Sequence, residues 1–562
     1  MAYKTSTPAL KMLRRILSAG KPEALIQPDY KPPLQRVFDS LVLLSALAIP
    51  ILIWQEHTPE ALALLPIIAV LWLIREFFVQ DDHALVRIYG PFGRMRYLFE
   101  TQFRDKYLQY FNESNTDGRP IPRIVRDYVY QKAHKVKSIA SFGTELDTFD
   151  PETTSGVRIL HRNFPGTISG SSYGYLIGEH RKNVRPFRVR NTLNISAMSY
   201  GSINYRSAEA LGLGARDVAY VNTGEGGFGP HGVGGGDVIF QIGTGKFGVG
   251  QTAHLPDGTE TRILNEQLLT ELVREHSNIG MIQLKISQGA KPGMGGHLPG
   301  SKVTEEIAAV RKVPIGKPVI SPPVHAECIA ATPKESVLRL MDLIDRVRSL
   351  TELPVGIKFC VGRPDEIDLL VDAMKATGKG PDAIQIDGAD GGTGAGHNLF
   401  LNYVGYGSSA EGGAYLDLRL KKAGLRDQVR ISASGKFFTP AHAALAFAVG
   451  ADTIDTARGA MLALGCIQSL KCHTNHCPTG ITTNSPWRTH GINIPEKASR
   501  IHHYLVGFHM DLMELARVTG HSDPRDLRPD DLRCITEEAT LAAHFNMDPK
   551  GLHMPLHRFW QD

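Results

Sequence analysis

From residue 190 onward the chain repeats one rhythm. Short runs of apolar and β-branched residues end in Gly, Ser or charged residues, and helical stretches separate them. The runs are Thr192–Ser199, Ala219–Thr223, Val238–Ile242 with Phe247–Val249, Met281–Ser287, Pro354–Cys360, Ala383–Asp387, Val429–Ser434 and Thr453–Thr456. Eight such runs predict an α/β fold of the (β/α)8 TIM-barrel class. A doubly wound open sheet is the alternative. Its GxGxxG spacing occurs from Gly224 and again from Gly243, but neither copy opens a helix.

Such a barrel does its chemistry where the strands end. The first run ends in Ala197, Met198 and Ser199, and the second leads into Thr223 and Glu225. The fourth brings Lys285 and, in KISQGAKPGMGG, Gln288 and Lys291; Lys302 follows. The fifth carries Lys358. The sixth ends in DGADGGTGAG, with Asp387, Asp390, Gly391, Gly392 and Thr393. The last two end in Gly435-Lys436 and in Arg458-Gly459. Glycines there let bare backbone N–H groups approach a phosphate, and Lys436 and Arg458 add charge. A flavin mononucleotide would place its phosphate there and its ring over the barrel mouth. Blander roles exist for several of these residues. Lys358 also reads as a structural ion-pair partner, and Asp387 as a helix cap. Glu225 has no basic neighbour in sequence, and Lys285 lies by a loop too glycine-rich for core packing, so both favour a site role. His325 reads as loop structure, and Cys328, Cys360 and Cys534 as ordinary buried thiols.

The stretch Gly465–Gly480, GCIQSLKCHTNHCPTG, holds Cys466, Cys472 and Cys477 in the pattern C-x5-C-x4-C. Three close thiolates suit soft metal chemistry, with an iron–sulfur cluster first. Zinc with His473 or His476 as fourth ligand is an alternative, and three unrelated structural cysteines another. The stretch follows the eighth run by a few residues, which sets a cluster beside the phosphate loop.

The N-terminal part differs in kind. Residues 1–36 are polar and basic. The apolar runs Ser40–Trp54 and Ala61–Ile74 follow, the second extending through Val79, with only QEHTPE between them. They predict a transmembrane helical hairpin over residues 38–79; buried core helices are the alternative. The basic N-terminus and Arg75, Arg87, Arg94 and Arg96 flank the hairpin, whereas the connecting loop lacks Lys and Arg. By the positive-inside rule both ends face the cytoplasm, so the hairpin anchors a cytoplasmic body at the cell (inner) membrane. Residues 80–185 form a mixed connecting region, with an amphipathic helix over Glu100–Glu113, a loop-like tract over Asp150–Ser172 and no site chemistry. The net charge of +5 includes no basic tract, which argues against nucleic acid, and six cysteines are too few for a disulfide scaffold.

Together, KISQGAKPGMGGHLPGSKV, VISPPVH, DGADGGTGAG and GCIQSLKCHTNHCPTGI resemble the FMN-binding synthase domain of glutamate synthase. The likeness is greatest to stand-alone members with a membrane-predicted N-terminus. It implies a synthase domain over 186–500 and a C-terminal helical extension over 501–562. It implies FMN in the barrel and a [3Fe–4S] cluster on the three cysteines, with His473 and His476 outside the ligand set. Reduced FMN would pass hydride to 2-iminoglutarate, formed from 2-oxoglutarate and ammonia. Electrons would come through the cluster from a ferredoxin or another redox partner. Lys285, Gln288, Lys291 and Lys302 would bind the dicarboxylate, Glu225 would be the acid/base, and Lys285 would face the reduced ring. The chain opens Met1-Ala2-Tyr3 and no cysteine precedes Cys328, so no glutaminase is expected and ammonia arrives free or from another subunit. SPPVHAECIA and Asn398–Gly413 depart from the family pattern. A membrane FMN oxidoreductase for a different amino or 2-oxo acid therefore stays open, as does a membrane-tethered redox sensor or assembly subunit. A homo-oligomer is compatible with all three.

Overall fold

The computed structural model describes residues 33–79, 86, 89–99, 103, 107, 118–137, 139, 141–146, 157–164, 173–255 and 258–534. The chain divides into two compact units, Met1–Glu113 and Ser114–Asp562. The basic segment before residue 33, Arg87, most of the helix expected over Glu100–Glu113, parts of the Asp150–Ser172 tract and the tail after Cys534 lie outside the described residues.

The second unit is built on a closed barrel of eight parallel strands. They are β1 (Leu193–Ile195), β2 (Val221–Asn222), β3 (Val238–Ile242), β4 (Ile279–Lys285), β5 (Val355–Cys360), β6 (Ala383–Asp387), β7 (Arg430–Ser434) and β8 (Thr453–Thr456). Seven fall inside their expected runs; β4 overlaps its run, Met281–Ser287, but starts two residues earlier, at Ile279. Closure comes from β8 beside β1, with Ile454 opposite Leu193 and Thr456 opposite Ile195. The Phe247–Val249 segment is not strand. Lys246 (φ +48°) and Gly248 (φ +84°) turn the chain there, and the next residues form a separate hairpin, Gly250–His254 with Glu260–Leu264. The two GxGxxG copies open no helix of the α type: the first runs into a 3-10 turn, Pro230–Gly232, and the second into that hairpin.

Strand alternation explains the barrel's two faces. Ile282, Leu284, Ile357, Ile384, Ile386 and Ile431 are buried with Ile344, Val347, Leu370 and Leu416 of the surrounding helices. The interior is polar instead. Asn222 Nδ2 and Gln241 Nε2 both donate to Gln283 Oε1, at 2.8 and 2.7 Å. Gln283 Nε2 donates to Gln385 Oε1 at 3.0 Å, and Gln385 Nε2 to Ser196 Oγ at 3.1 Å. Buried amides demand partners, and these supply one another.

The helix Ile494–Val518 buries Tyr504, Phe508 and Leu512 and packs on the helices Tyr205–Ala215 and Arg123–Ala133. It begins before residue 501 and stops at Val518. Two 3-10 turns and a strand, Leu532–Cys534, follow it, and that strand pairs antiparallel with Val157–Ile159. The C-terminal extension is thus only partly helical: Pro524 and Pro529 lack the N–H a continuing helix needs.

The first unit holds two packed helices, Pro33–Trp54 and Thr58–Ile74. By length and composition both can cross a membrane, and the first span, Val37–Trp54, has no buried residue. Buried Arg75 pairs with Asp39 and with Glu76, and Arg94 Nε lies 2.6 Å from Glu76 Oε2. Two of the four expected flanking cations are therefore matched by acids.

Candidate active site

A cavity of about 570 Å³ lies among the loops that follow the barrel strands. It gathers Ala197, Met198, Ser199, Glu225, Gln288, Lys291, Lys302, Gly391, Gly392, Thr393, Lys436, Arg458, Cys466, Cys472 and Cys477 from seven separate stretches of sequence. Lys285 stands just behind this wall. Its Nζ donates to Glu225 Oε1 and to Gln288 Oε1, both at 2.7 Å. Thr223, Lys358, Asp387, Gly435 and Gly459 were expected at the cofactor and do not line the cavity.

Glu225 is the most constrained group. A Cβ at Gly243 or Gly296 would come within 2.5 Å of a carboxylate oxygen, so glycine is needed at both positions. Burial by itself would raise the Glu225 carboxyl. The charge of Lys285, its hydrogen bond, and the charges of Lys291 and Arg311 outweigh burial and hold it below the usual carboxylate range. Lys291 donates to the Ala395 carbonyl at 3.0 Å; burial and the like charge of Lys285 push it down to about 8.

Arg311 joins this group and escaped the sequence reading. It ends the helix Glu305–Arg311, whose first turn Thr304 caps. Its guanidinium donates to the Tyr200 carbonyl at 3.1 and 2.6 Å and lies 5.2 Å from the Phe247 ring centre. Burial lowers it to about 10. Lys302 is differently employed. Its Nζ donates to the Ser202 and Cys472 carbonyls at 2.7 and 3.3 Å, so it ties the loop after β1 to the cysteine loop.

At the other end, Arg458 Nη2 donates to the Asp390 carbonyl at 2.7 Å, and a Cβ on Gly392 would meet Arg458 Cδ at 2.7 Å. Burial lowers the Arg458 pKa. Exposed Lys436 adds a second cation. The remaining expected residues act on protein instead. Lys358 Nζ is 3.1 Å from Asp387 Oδ1, an ion pair behind the wall. The Thr223 hydroxyl donates to the Gly224 carbonyl and accepts from Gln241 N. Gly459 N donates to Thr456 Oγ1 at 3.2 Å, and its α-carbon faces the Tyr504 hydroxyl, so its N–H is not free for a phosphate. Gly435 lies against Asp390 and Ser409. Gln288 Nε2, Ser321 Oγ and Asp390 Oδ1 belong to cavity-lining residues and are buried without a protein partner, which fits a polar ligand such as a flavin.

The three cysteines all line this cavity, and Cys472 and Cys477 act electrostatically on Cys466. Burial raises the Cys466 and Cys472 thiols, Cys466 to about 12. Cys477 lies below the usual thiol value: burial opposes this, but the Thr479 and Thr482 hydroxyls and backbone amides prevail. Gln468, Leu470 and Asn475 hold left-handed φ values of +56°, +56° and +62°. Such geometry in non-glycine residues clusters at sites where surrounding structure over-determines it. Among the described residues, no three His, Cys, Asp or Glu side chains are arranged to hold a single metal ion. Three thiols lining one cavity are soft donors of the kind that would hold an iron–sulfur cluster.

His325, expected in a structural role, is buried. It contacts Lys246 Nζ at 2.7 Å through Nδ1 and the Lys285 carbonyl at 2.9 Å through Nε2.

Residues 162–522 match the family model described as a conserved region in glutamate synthase. The chain is 33% identical over 505 residues to the glutamate synthase large subunit-like protein YerD of Bacillus subtilis, covering 82% of this chain and 91% of that one. It is 32% identical over 355 residues to the archaeal glutamate synthase (NADPH) of Methanocaldococcus jannaschii, 61% of each chain. A mandelate oxidase structure with an FMN adduct is similar at a TM-score of 0.38 and 16% identity, covering 74% of this chain and 96% of that one, a likeness too distant to bear on function. The chain belongs to the glutamate synthase family of oxidoreductases.

Proposed function

We propose that this protein reduces 2-oxoglutarate and ammonia to glutamate, using FMN in the barrel mouth and a [3Fe–4S] cluster on Cys466, Cys472 and Cys477. The overall change is 2-oxoglutarate, ammonia, two electrons and two protons to glutamate and water. The observation that carries the reading is the Glu225–Lys285–Gln288 group, at 2.7 Å separations, beside a cavity whose wall also carries three cysteines. When bound, the flavin would supply two-electron reduction and the cluster single-electron transfer. Gly391, Gly392, Lys436 and Arg458 would hold the flavin.

The protein's own groups divide the remaining work. Lys285, Lys291 and Arg311 set three cations around one carboxylate, and the surplus positive charge attracts a dicarboxylate. Glu225, held below the ordinary carboxylate range, is ionised and serves as base. Lys291, at about 8, can give up a proton near neutral pH and serves as acid when water leaves. Replacing Glu225 with Gln abolishes turnover while flavin stays bound; unchanged turnover would remove Glu225 from the mechanism. The two apolar helices anchor the protein in the cell membrane, with the barrel on the cytoplasmic side where a ferredoxin or similar donor can reach it.

A further inference from the structure

The helix Arg123–Ala133 precedes the barrel and lies outside residues 162–522, the part matched to the family. Its sequence, RIVRDYVYQKA, carries no chemical motif. It nevertheless reaches the site. Pro120 and Ile121, just before it, line the cavity. The Ile121 carbonyl accepts a hydrogen bond from Gln468 Nε2 at 3.1 Å. The Tyr130 hydroxyl donates to the Cys466 carbonyl at 2.7 Å.

The helix is itself held from behind. Tyr128 donates to Asp511 Oδ2 at 2.8 Å, and Lys132 Nζ stands 2.6 Å from the same oxygen. Asp511 belongs to the long helix Ile494–Val518, and Val129 and Ala133 are buried in the core. The clamped helix and the residues just before it therefore grip the cysteine loop at two points, one of them the left-handed Gln468. A non-glycine residue keeps that conformation only under outside restraint. Arg126 is buried on the same helix, one turn before Tyr130.

We propose that the segment Pro120–Ala133 is a working part of the redox centre, with Tyr130 positioning Cys466 and Arg126 favouring the reduced state of the group the cysteines hold. This rests on the cluster reading above. Charge and solvent exposure around the ligating sulfurs help set the potential of an iron–sulfur centre, and this segment bears on both. A buried cation one turn from Tyr130, whose hydroxyl holds the Cys466 peptide, favours an added electron there. The Tyr130 bond fixes the peptide that carries Cys466, and Pro120 and Ile121 keep water from that flank.

The test uses the full chain in detergent under argon: the parent protein, Tyr130→Phe and Arg126→Gln. Iron, sulfide and flavin content are measured, with an EPR-monitored redox titration of the cluster and the rate of iron loss to a chelator. In Arg126→Gln the reduced-to-oxidised ratio at a fixed potential should fall roughly ten-fold, with the flavin titration unmoved. In Tyr130→Phe, one hydrogen bond poorer, iron should leave roughly five-fold faster and the EPR line shape should change. Clusters in both variants that titrate and lose iron like the parent would overturn the inference while leaving the cluster reading standing. Flavin lost together with iron in both variants would make the helix general scaffold and overturn it too. A parent protein without iron would overturn the cluster reading, and this inference with it.

Discussion

Replacing Lys285 with Met tests the electrostatic core of the site. Lys285 is 8% exposed and makes two charge-assisted hydrogen bonds, each 2.7 Å. Removing one partner of a buried pair costs about 3–5 kcal/mol. The lower end, about 3 kcal/mol, applies because Lys291 and Arg311 still act on Glu225. At roughly 2 °C per kcal/mol for a large domain, the unfolding midpoint should fall by roughly 6 °C near pH 7. The pH dependence is the sharper test. In the parent protein Glu225 lies below its unfolded value, so its contribution is present above the ordinary carboxylate range and is lost as pH falls through the folded value. Without Lys285, burial dominates and raises the carboxyl, so the variant loses stability as pH rises. The deficit between the two proteins should therefore shrink steadily from pH 7 to pH 4.5. Thermal melts followed by tryptophan fluorescence across that range measure it. An equal deficit at every pH, or none at pH 7, would refute the pairing as the source of the Glu225 shift.

Lys291, held at about 8, should make the KM for an anionic 2-oxo acid climb above pH 8 as its charge is lost; a Lys291→Arg variant should stay flat to pH 9. The same depression makes the protein gain stability as pH rises from 8 toward the free-lysine value, because the unfolded chain binds the extra proton there. Gly296→Ala would put a Cβ 2.5 Å from Glu225 Oε1, so kcat should fall at least about ten-fold with flavin absorbance intact. Gln283→Leu would strand the amides of Asn222, Gln241 and Gln385, at about 1–3 kcal/mol each, and chemical denaturation should show a loss of roughly 3 kcal/mol or more. Alkaline carbonate should leave the protein in the membrane pellet; release into the supernatant would refute the anchor.

The barrel was legible because each strand had to be apolar toward its helices and to end in a loop that could carry a ligand. Ile384 and Ile386 before Asp387, with glycines after, show both demands in one run. The Phe247–Val249 segment imitated a strand by composition alone, since nothing in it shows that Lys246 turns left-handed just before it. Glu225, Gln288 and Lys291 were visible because glycines surround them. Arg311 was not: it ends an ordinary amphipathic helix, and its approach to Glu225 is created by tertiary packing. Tyr130 was hidden for the same reason, its contact to Cys466 spanning 336 positions. The polar barrel interior was partly written in Asn222, Gln241, Gln283 and Gln385, one on each of four strands. Periodicity cannot say which face of a strand looks inward.

Barrel closure has a consequence for how the protein comes into being. β1 has no β8 to lie against until Thr453 is made, 261 residues after the Thr192 whose carbonyl it binds. A nascent chain therefore carries seven strands with two open edges through most of its synthesis, and such edges invite pairing with other chains. The cysteines come off the ribosome only just after the strand that shuts the ring. A cluster held by them, as proposed above, would be loaded only at the last stage of biogenesis, when the wall they complete already exists.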